Sequence, residues 1–440
     1  MLKSLKTKGI GPFSALDIEF APRLNIVTGD NGLGKSFLLD IAWWCLTRKW
    51  PAEVNPQLTS GYMARPASIE SEGSGTPSTK STISFAFTGK SKEESYTSTF
   101  EPLEQSWTGK SGRPSNPGLV IYAQVDGSYS LWDPARNYWR KRGNIDIQER
   151  QPAYVFTAQE VWNGLEDDSN VLCNGLLLDW ALWQKEKGEA FELLKTALLT
   201  LSPDSDEEIR PGELTRISLD DVRDIPTIRM PYQQDVPVLF ASAGIRRILA
   251  LAYLLVWAWQ EHIQASKLLK QQKTNQIILL IDEIESHLHP RWQRTIMGAL
   301  LRTVKQFASD DKAGVQIIAA THSPLILASL EPLFDPAFDT WFDINLQSND
   351  RGSHAQLEQI AWRRRGDISS WLTSEAFDLK LPRAKEIEQV VDRASAALQS
   401  EQTTREQFLT IDSELRNYLS DTDPFWIRWR YITDKRGLLR

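Results

Sequence analysis

Three continuous apolar runs lie far apart along the chain: Leu24-Asn25-Ile26-Val27-Thr28, Ile277-Ile278-Leu279-Leu280-Ile281 and Val315-Gln316-Ile317-Ile318-Ala319-Ala320. Short runs without alternation are the mark of strands covered on both faces, so they predict buried, parallel strands. A different pattern occupies Ser81-Thr82-Ile83-Ser84-Phe85-Ala86-Phe87, where the larger apolar residues alternate. With Tyr96-Thr97-Ser98-Thr99-Phe100 it predicts a hairpin of a β subdomain. Helical patterning follows Ser36 to Trp44, recurs from Leu239 to about Gln271, and covers residues 158 to 201 with a break near Glu166 to Asn170. Two mixed-charge helices are expected between about 382 and 420, and the Ser-, Gly- and Pro-rich residues 64 to 80 read as a mobile loop. The fold class expected is α/β.

The first run leads into Gly29-Asp30-Asn31-Gly32-Leu33-Gly34-Lys35-Ser36, a full match to the GxxxxGK[ST] phosphate loop, with a helix directly after it. Each residue type has a job around a nucleoside triphosphate. Glycines let backbone N–H groups close on phosphate oxygens, the Lys35 ammonium reaches the β and γ phosphates, and the Ser36 hydroxyl can ligate Mg²⁺. Strand, loop and helix in that order also point a helix N-terminus at the anion. The nucleotide-binding residues expected are Asn31, Gly32, Gly34, Lys35, Ser36 and Phe37, with ATP and Mg²⁺ as the ligands.

The second run ends in Asp282-Glu283, placing two carboxylates at the C-terminal edge where α/β sheets receive ligands. Asp282 is expected to hold Mg²⁺ and Glu283 to polarise the attacking water. The third run ends in Thr321-His322-Ser323-Pro324. If its strand neighbours the one carrying Asp282, His322 can sense the γ phosphate. Between these lies Leu239-Phe240-Ala241-Ser242-Ala243-Gly244, where Ser242 and Gly244 open a long helix; small residues there suit either an anion or a plain helix cap.

Composition narrows the setting. The 440 residues are 41% hydrophobic and 24% charged, enough for one large or two ordinary domains. No apolar run approaches a membrane span and MLKSLKTKGIG lacks the apolar core of a secretion signal, so a cytoplasmic protein is expected. Cys45 and Cys173 are too few for a disulfide framework or zinc site and read as buried thiols. A net charge of −7 excludes a surface that is basic all over. The 17 tryptophans, Trp139, Trp292, Trp362, Trp426 and Trp429 among them, read mainly as core or interface anchors.

Phosphate loop, serine-glycine helix start, LLIDE strand and THSP turn, in that order, resemble the ABC-type ATPases of the SMC, RecF and OLD branch. The likeness extends to stand-alone bacterial ATPases whose acidic strand continues as DExExHLHP, here Asp282 to Pro290, and to their first hairpin in Leu2-Lys3-Ser4-Leu5 through Gly9-Ile10-Gly11-Pro12-Phe13 to Ile18-Glu19-Phe20. It covers roughly residues 1 to 60 and 230 to 335. The resemblance implies an ATPase head over residues 1–335: a first lobe to 125 with a β subdomain, a helical insert from 126 to 240, and the signature helix, acidic strand and switch histidine from 241. Residues 336–440 would form a C-terminal helical partner-binding region. It further implies a homodimer or higher homo-oligomer of head-to-tail heads, so that Ser242 and Gly244 act in trans on the other subunit's nucleotide. A metal-touching glutamine is also implied; Gln124, after Leu119-Val120-Ile121-Tyr122-Ala123, is the first candidate and Gln159 the second. His287 and His289 would sit in a connecting loop.

The interval between Gln124 and Ser242, 117 residues, shows no sustained heptad, which argues against SMC-like bridging. Residues 325–440 carry neither a glycine-flanked glutamate followed by a DxD strand end nor an HNH-like set, so a separate effector is expected. The resemblance implies the ATPase subunit of a two-component anti-phage defence system, similar to Septu or PARIS ATPases, with a RecF-like DNA-repair ATPase as the alternative. Residues 350 to 370 include Arg363-Arg364-Arg365, and the aromatic and basic tail Asp423 to Tyr431 reads as a docking element, a nucleic-acid contact, or a segment packed on its own domain.

Overall fold

The computed structural model describes residues 1–67, 80–89, 93–109, 116–136, 139–142, 145–148, 153–167, 170–307, 314–349, 352–377, 379–400 and 402–437. Most of the expected loop at 64 to 80, and the Trp139 side chain, lie outside them. The chain divides into two compact units, Met1–Ile368 and Ser369–Arg440.

The first unit is built on a thirteen-stranded mixed sheet. Its centre is parallel, in the order Leu119–Ala123, Gln276–Asp282, Gly314–Ala320, Leu24–Gly29, Asp339–Asn349. All three apolar runs are therefore neighbours, and Leu24–Gly29 is buried along its whole length. The register sets Ala123 opposite Ile281, Asp282 opposite Ala320 and Ala320 opposite Val27. Consequently Gln124, Glu283, Thr321 and the phosphate loop all leave the sheet at one edge.

Further strands extend both flanks, antiparallel except where Phe13–Glu19 meets Gly352–Ile360 in parallel. On one side Tyr129–Trp132 and Ala153–Phe156 continue the sheet; on the other, Gly352–Ile360 and the opening hairpin, Leu2–Ile10 with Phe13–Glu19, lead to the expected β subdomain of Thr82–Thr88, Glu93–Glu101 and Ser106–Trp107. That subdomain is pinned to the helix after the phosphate loop, Lys35–Thr47. Trp44 stacks on Trp50 at 5.4 Å, meets Phe85 and Trp107 at 6.1 Å, and carries the Arg48 guanidinium 4.0 Å over its ring. Such aromatic and cation–π contacts contribute about 0.5–1.5 kcal/mol each and fix the loop helix against the sheet. Trp162, Trp183 and Trp362 are half-buried and the other described tryptophans are buried, as are both cysteines.

Two expected boundaries need correction. The ATPase core does not end near 335: Asp339–Asn349 pairs directly with the phosphate-loop strand, and the sheet continues through Ile360. The 126–240 interval is not mainly helical either. Its helices are Glu160–Asn163, Leu176–Glu186 and Glu189–Leu201; the break between the first two holds a hairpin, Leu165–Asp167 with Asn170–Cys173, and a three-stranded sheet runs from Arg210 to Pro237. The signature helix runs Ala243–Leu268 and is buried without interruption from Ile248 to Trp259, as a helix hydrophobic on all sides must be.

The second unit contains the helices Lys385–Gln399, Arg405–Tyr418 and Phe425–Lys435. Thr404 and Gln407 form a capping box at the start of the second. Its core gathers Val390, Ala394, Phe408, Leu415, Trp426 and Trp429. The Trp429 indole N–H donates to Asp412 at 2.9 Å and that of Trp426 to the Ser420 carbonyl at 2.8 Å, while Arg416 and Arg430 lie over the Trp426 ring. The tail tryptophans are thus the packing of their own unit, with arginines snorkelling across them. Ile427 and Tyr431 remain on the outer face.

Candidate nucleotide site

The phosphate loop follows from two glycines that nothing else could replace. Gly29 has φ +134° and a Cβ there would lie 2.4 Å from the Ile344 carbonyl oxygen; Gly34 has φ +102° and a Cβ would lie 2.6 Å from Pro12. The chain therefore turns tightly into the helix, and Lys35, its first residue, is buried. The Lys35 ammonium donates to the carbonyls of Gly29 and Asp30, both at 2.8 Å. Burial lowers its pKa, opposed by the charges of Glu283 and Asp282. Asn31, Gly32 and Ser36 are exposed around it and Phe37 is half-buried.

Asp282 is almost completely buried, and desolvation pushes its carboxyl above the usual range, with the Ser36 hydroxyl opposing. Its Oδ1 has no partner among the described residues. A sealed acceptor without a donor beside a hydroxyl is what a Mg²⁺ ligand pair looks like, so the residues fit that ion. Glu283 takes the left-handed conformation, φ +46°, which is rare outside glycine and turns its side chain out of the strand line. Its backbone N–H donates to the Ala320 carbonyl at 3.1 Å, and the Ser286 hydroxyl donates to Glu283 Oε2 at 3.2 Å. The His322 Nε2 stands 3.6 Å from Glu283 Oε1. Burial and the Lys35 charge lower the His322 pKa, favouring the neutral imidazole.

Gln124 is buried at the end of the strand flanking Asp282. Its Oε1 accepts from the Ser128 hydroxyl, and its Nε2 is sealed with no partner among the described residues. Gln159 instead sits exposed two strands further out, lining a cavity with Asp126 and Ser128. Ser242 caps the signature helix through the Ile245 N–H at 3.4 Å and is exposed. Gly244 has a reason to be glycine inside its own chain: a Cβ would stand 2.4 Å from the His287 carbonyl oxygen. His289 caps the short helix Pro290–Gln293, its Nδ1 accepting from Arg291 N–H at 3.3 Å. Among the described residues no three of His, Cys, Asp or Glu gather as a metal set.

Three residues near the site carried no role in the sequence reading. Arg247 donates to the carbonyls of Val125 at 2.9 Å, Asp282 at 3.0 Å, Glu283 at 3.2 Å and Gln124 at 3.4 Å, clamping the ends of both strands to the signature helix. Glu285 accepts the His322 backbone N–H. Asp40, on the phosphate-loop helix, accepts the Tyr122 hydroxyl at 3.0 Å. Desolvation pushes the Asp40 carboxyl from 3.8 up to about 7, with the Tyr122 bond opposing and the Asp282 charge adding to it. Because the folded state disfavours the charged form, this acid costs stability fully above pH 7 and not at all below its unfolded value. Asp40→Asn, which keeps the acceptor, should therefore raise stability at pH 8.5 by on the order of 1–2 kcal/mol, a few degrees in Tm, with the gain shrinking as pH falls through 7. Thermal unfolding at pH 8.5 and pH 5 measures it, and an equal effect at both would contradict the assignment.

Several known proteins are similar to parts of this chain. The chain is 45% identical over 53 residues to a Vibrio cholerae protein named "Retron Vc95 probable ATPase", covering 12% of this chain and 9% of that protein. It is 27% identical over 203 residues to the Escherichia coli "Retron Ec83 probable ATPase", covering 44% and 31%, and 30% identical over 102 residues to the Septu protein PtuA of Bacillus mycoides, covering 23% and 12%. It thus matches less than a third of the length of each of these relatives. Among solved structures, the SMC head domain from Thermotoga maritima aligns over 82% of this chain and 99% of its own, at 15% identity and a TM-score of 0.39. With a family profile covering residues 24–328, the chain belongs to the AAA ATPase-domain family described as "AAA domain, putative AbiEii toxin, Type IV TA system".

Proposed function

We propose that this chain hydrolyses ATP in a composite site and serves as the sensor or regulatory subunit of a two-component anti-phage defence system, controlling a separately encoded nuclease or toxin. The observation that carries the chemistry is the convergence of Lys35, Ser36, Asp282, Glu283 and His322 on one edge of the parallel sheet. In this reading the loop amides and the Lys35 ammonium would bind the phosphates, and Ser36, Asp282 and Gln124 would hold Mg²⁺. The ion supplies charge neutralisation on the β and γ phosphates when bound. Glu283 takes the proton of the attacking water, and the neutral His322 donates toward the γ phosphate.

The head-to-tail dimer rests on the resemblance to ABC-type heads, with the exposed Ser242 offered to the other subunit's nucleotide. The defence role is supported by the names of the retron and Septu relatives. No helix among the described residues is long and apolar enough to cross a membrane, in keeping with a cytoplasmic place of action. Affinity purification of the tagged chain from its native host, at ATP-saturating conditions, tests the regulatory role. The expected result is one stoichiometric partner whose sequence is that of a nuclease or toxin. Recovery of the chain alone, with salt-sensitive DNA binding of its own, would contradict it and favour a RecF-like repair ATPase.

A further inference from the structure

Glu285 stands in the turn after the acidic strand, three residues beyond Asp282, and its carboxylate faces inward. One oxygen, Oε1, accepts the backbone N–H of His322. The other oxygen, Oε2, is sealed with no partner among the described residues. Its charge is felt at Lys35, and it feels that of Glu283. This is a poor way to fill a core, because a buried carboxylate oxygen without a donor costs stability that a neutral side chain would avoid.

The turn it binds explains the choice. The ladder of Gly314–Ala320 ends with the Thr321 N–H donating to the Val27 carbonyl at 3.0 Å, so the next N–H, that of His322, has no strand to pair with. Its neighbour Ser323 is held separately, its hydroxyl donating to Gln293 at 2.6 Å. Glu285 grips the His322 backbone instead, through a charge-assisted bond of the stronger kind. The same turn carries Glu283, so the carboxylate locks the two catalytic candidates to one another at the 3.6 Å separation of their side chains.

We propose that Glu285 is a positioning residue that fixes the His322 imidazole against Glu283 for attack on the γ phosphate; the inference rests on the hydrolytic reading of these two residues given above. It acts through His322, so its removal should cost turnover and not nucleotide binding. Steady-state hydrolysis by the full-length protein tests this. Glu285→Ala is expected to lower kcat at least about tenfold with the KM for ATP within about twofold. Glu285→Gln, which keeps an oxygen for the His322 N–H, should recover most of that loss. Glu285→Asp, which retracts the oxygens by one methylene, should lower kcat in the same direction and serves if the alanine variant does not fold. The double variant Glu285→Ala/His322→Ala should be no slower than the slower single variant, since both remove one function.

The proposal is overturned if Glu285→Ala and Glu285→Asp turn over at the wild-type rate while His322→Ala is impaired, or if the two losses multiply. Should His322→Ala itself hydrolyse at the wild-type rate, both this proposal and the assignment of His322 fall, which separates the two failures.

Discussion

Lys35→Ala should bind ATP at least about a hundredfold more weakly than the wild-type protein, and hydrolysis at ordinary nucleotide concentrations should be lost with it. The ammonium is buried at the first position of the loop helix and already held on two loop carbonyls, so the chain has fixed its position before any anion arrives. A charged hydrogen bond contributes about 1.5–3 kcal/mol, and this cation meets two phosphates in a partly dry setting, which sets the scale. Fold stability should move little or rise, because burial already lowers the Lys35 pKa. Equilibrium binding of a fluorescent ATP analogue, with thermal unfolding as the fold control, reads the effect; near wild-type affinity would remove the phosphate loop from the account.

Glu283→Gln should behave in the opposite way, binding ATP normally and hydrolysing it at least about a hundredfold more slowly. The substitution is isosteric, keeps an acceptor for the Ser286 hydroxyl, and removes only the capacity to take a proton. It should also arrest the protein with two heads closed on nucleotide. By light scattering, the molar mass of Glu283→Gln should approximately double on adding ATP and Mg²⁺, and Ser242→Arg in the same background should return it to that of one chain. Normal turnover by Glu283→Gln would show that another group activates the water.

The parts of the site that could be read in the sequence are those where local chemistry and burial coincide. Leu24 to Thr28, Ile277 to Ile281 and Val315 to Ala320 are continuous apolar runs, each ended by a residue type with a job, so strand and function could be read together. The strand Asp339–Asn349 has the same central place in the sheet yet could not be found, because its pattern is broken by two acids. Asp339 is buried against Arg23, and Asp343 accepts from Thr28 under the phosphate loop. Only the partners, more than three hundred residues away, make those carboxylates core residues. Arg247 and Glu285 were opaque for a related reason. Both bind backbone groups, four carbonyls in one case and the His322 N–H in the other, and a backbone partner leaves no trace in residue type. Gly244 suits an anion contact or a plain cap in sequence terms, and residue type gives no sign of the close approach of the His287 carbonyl that the fold places against it. In the C-terminal unit, periodicity located the helices, but whether Trp426 and Trp429 faced a partner or their own core was decided by Ser420 and Asp412, which accept from their indole N–H groups.

In the proposed mechanism Glu283, held in its left-handed turn beside Asp282 and His322, drives hydrolysis of ATP bound to the Lys35 loop. The most direct measurement is the identity of the nucleotide that stays on the protein after incubation with ATP and Mg²⁺ and rapid removal of free nucleotide. The wild-type chain should retain ADP or none, and Glu283→Gln should retain ATP at about one per chain, as expected where only the chemical step is blocked. The same ratio of ATP to ADP on both proteins, or no nucleotide on either, would contradict it.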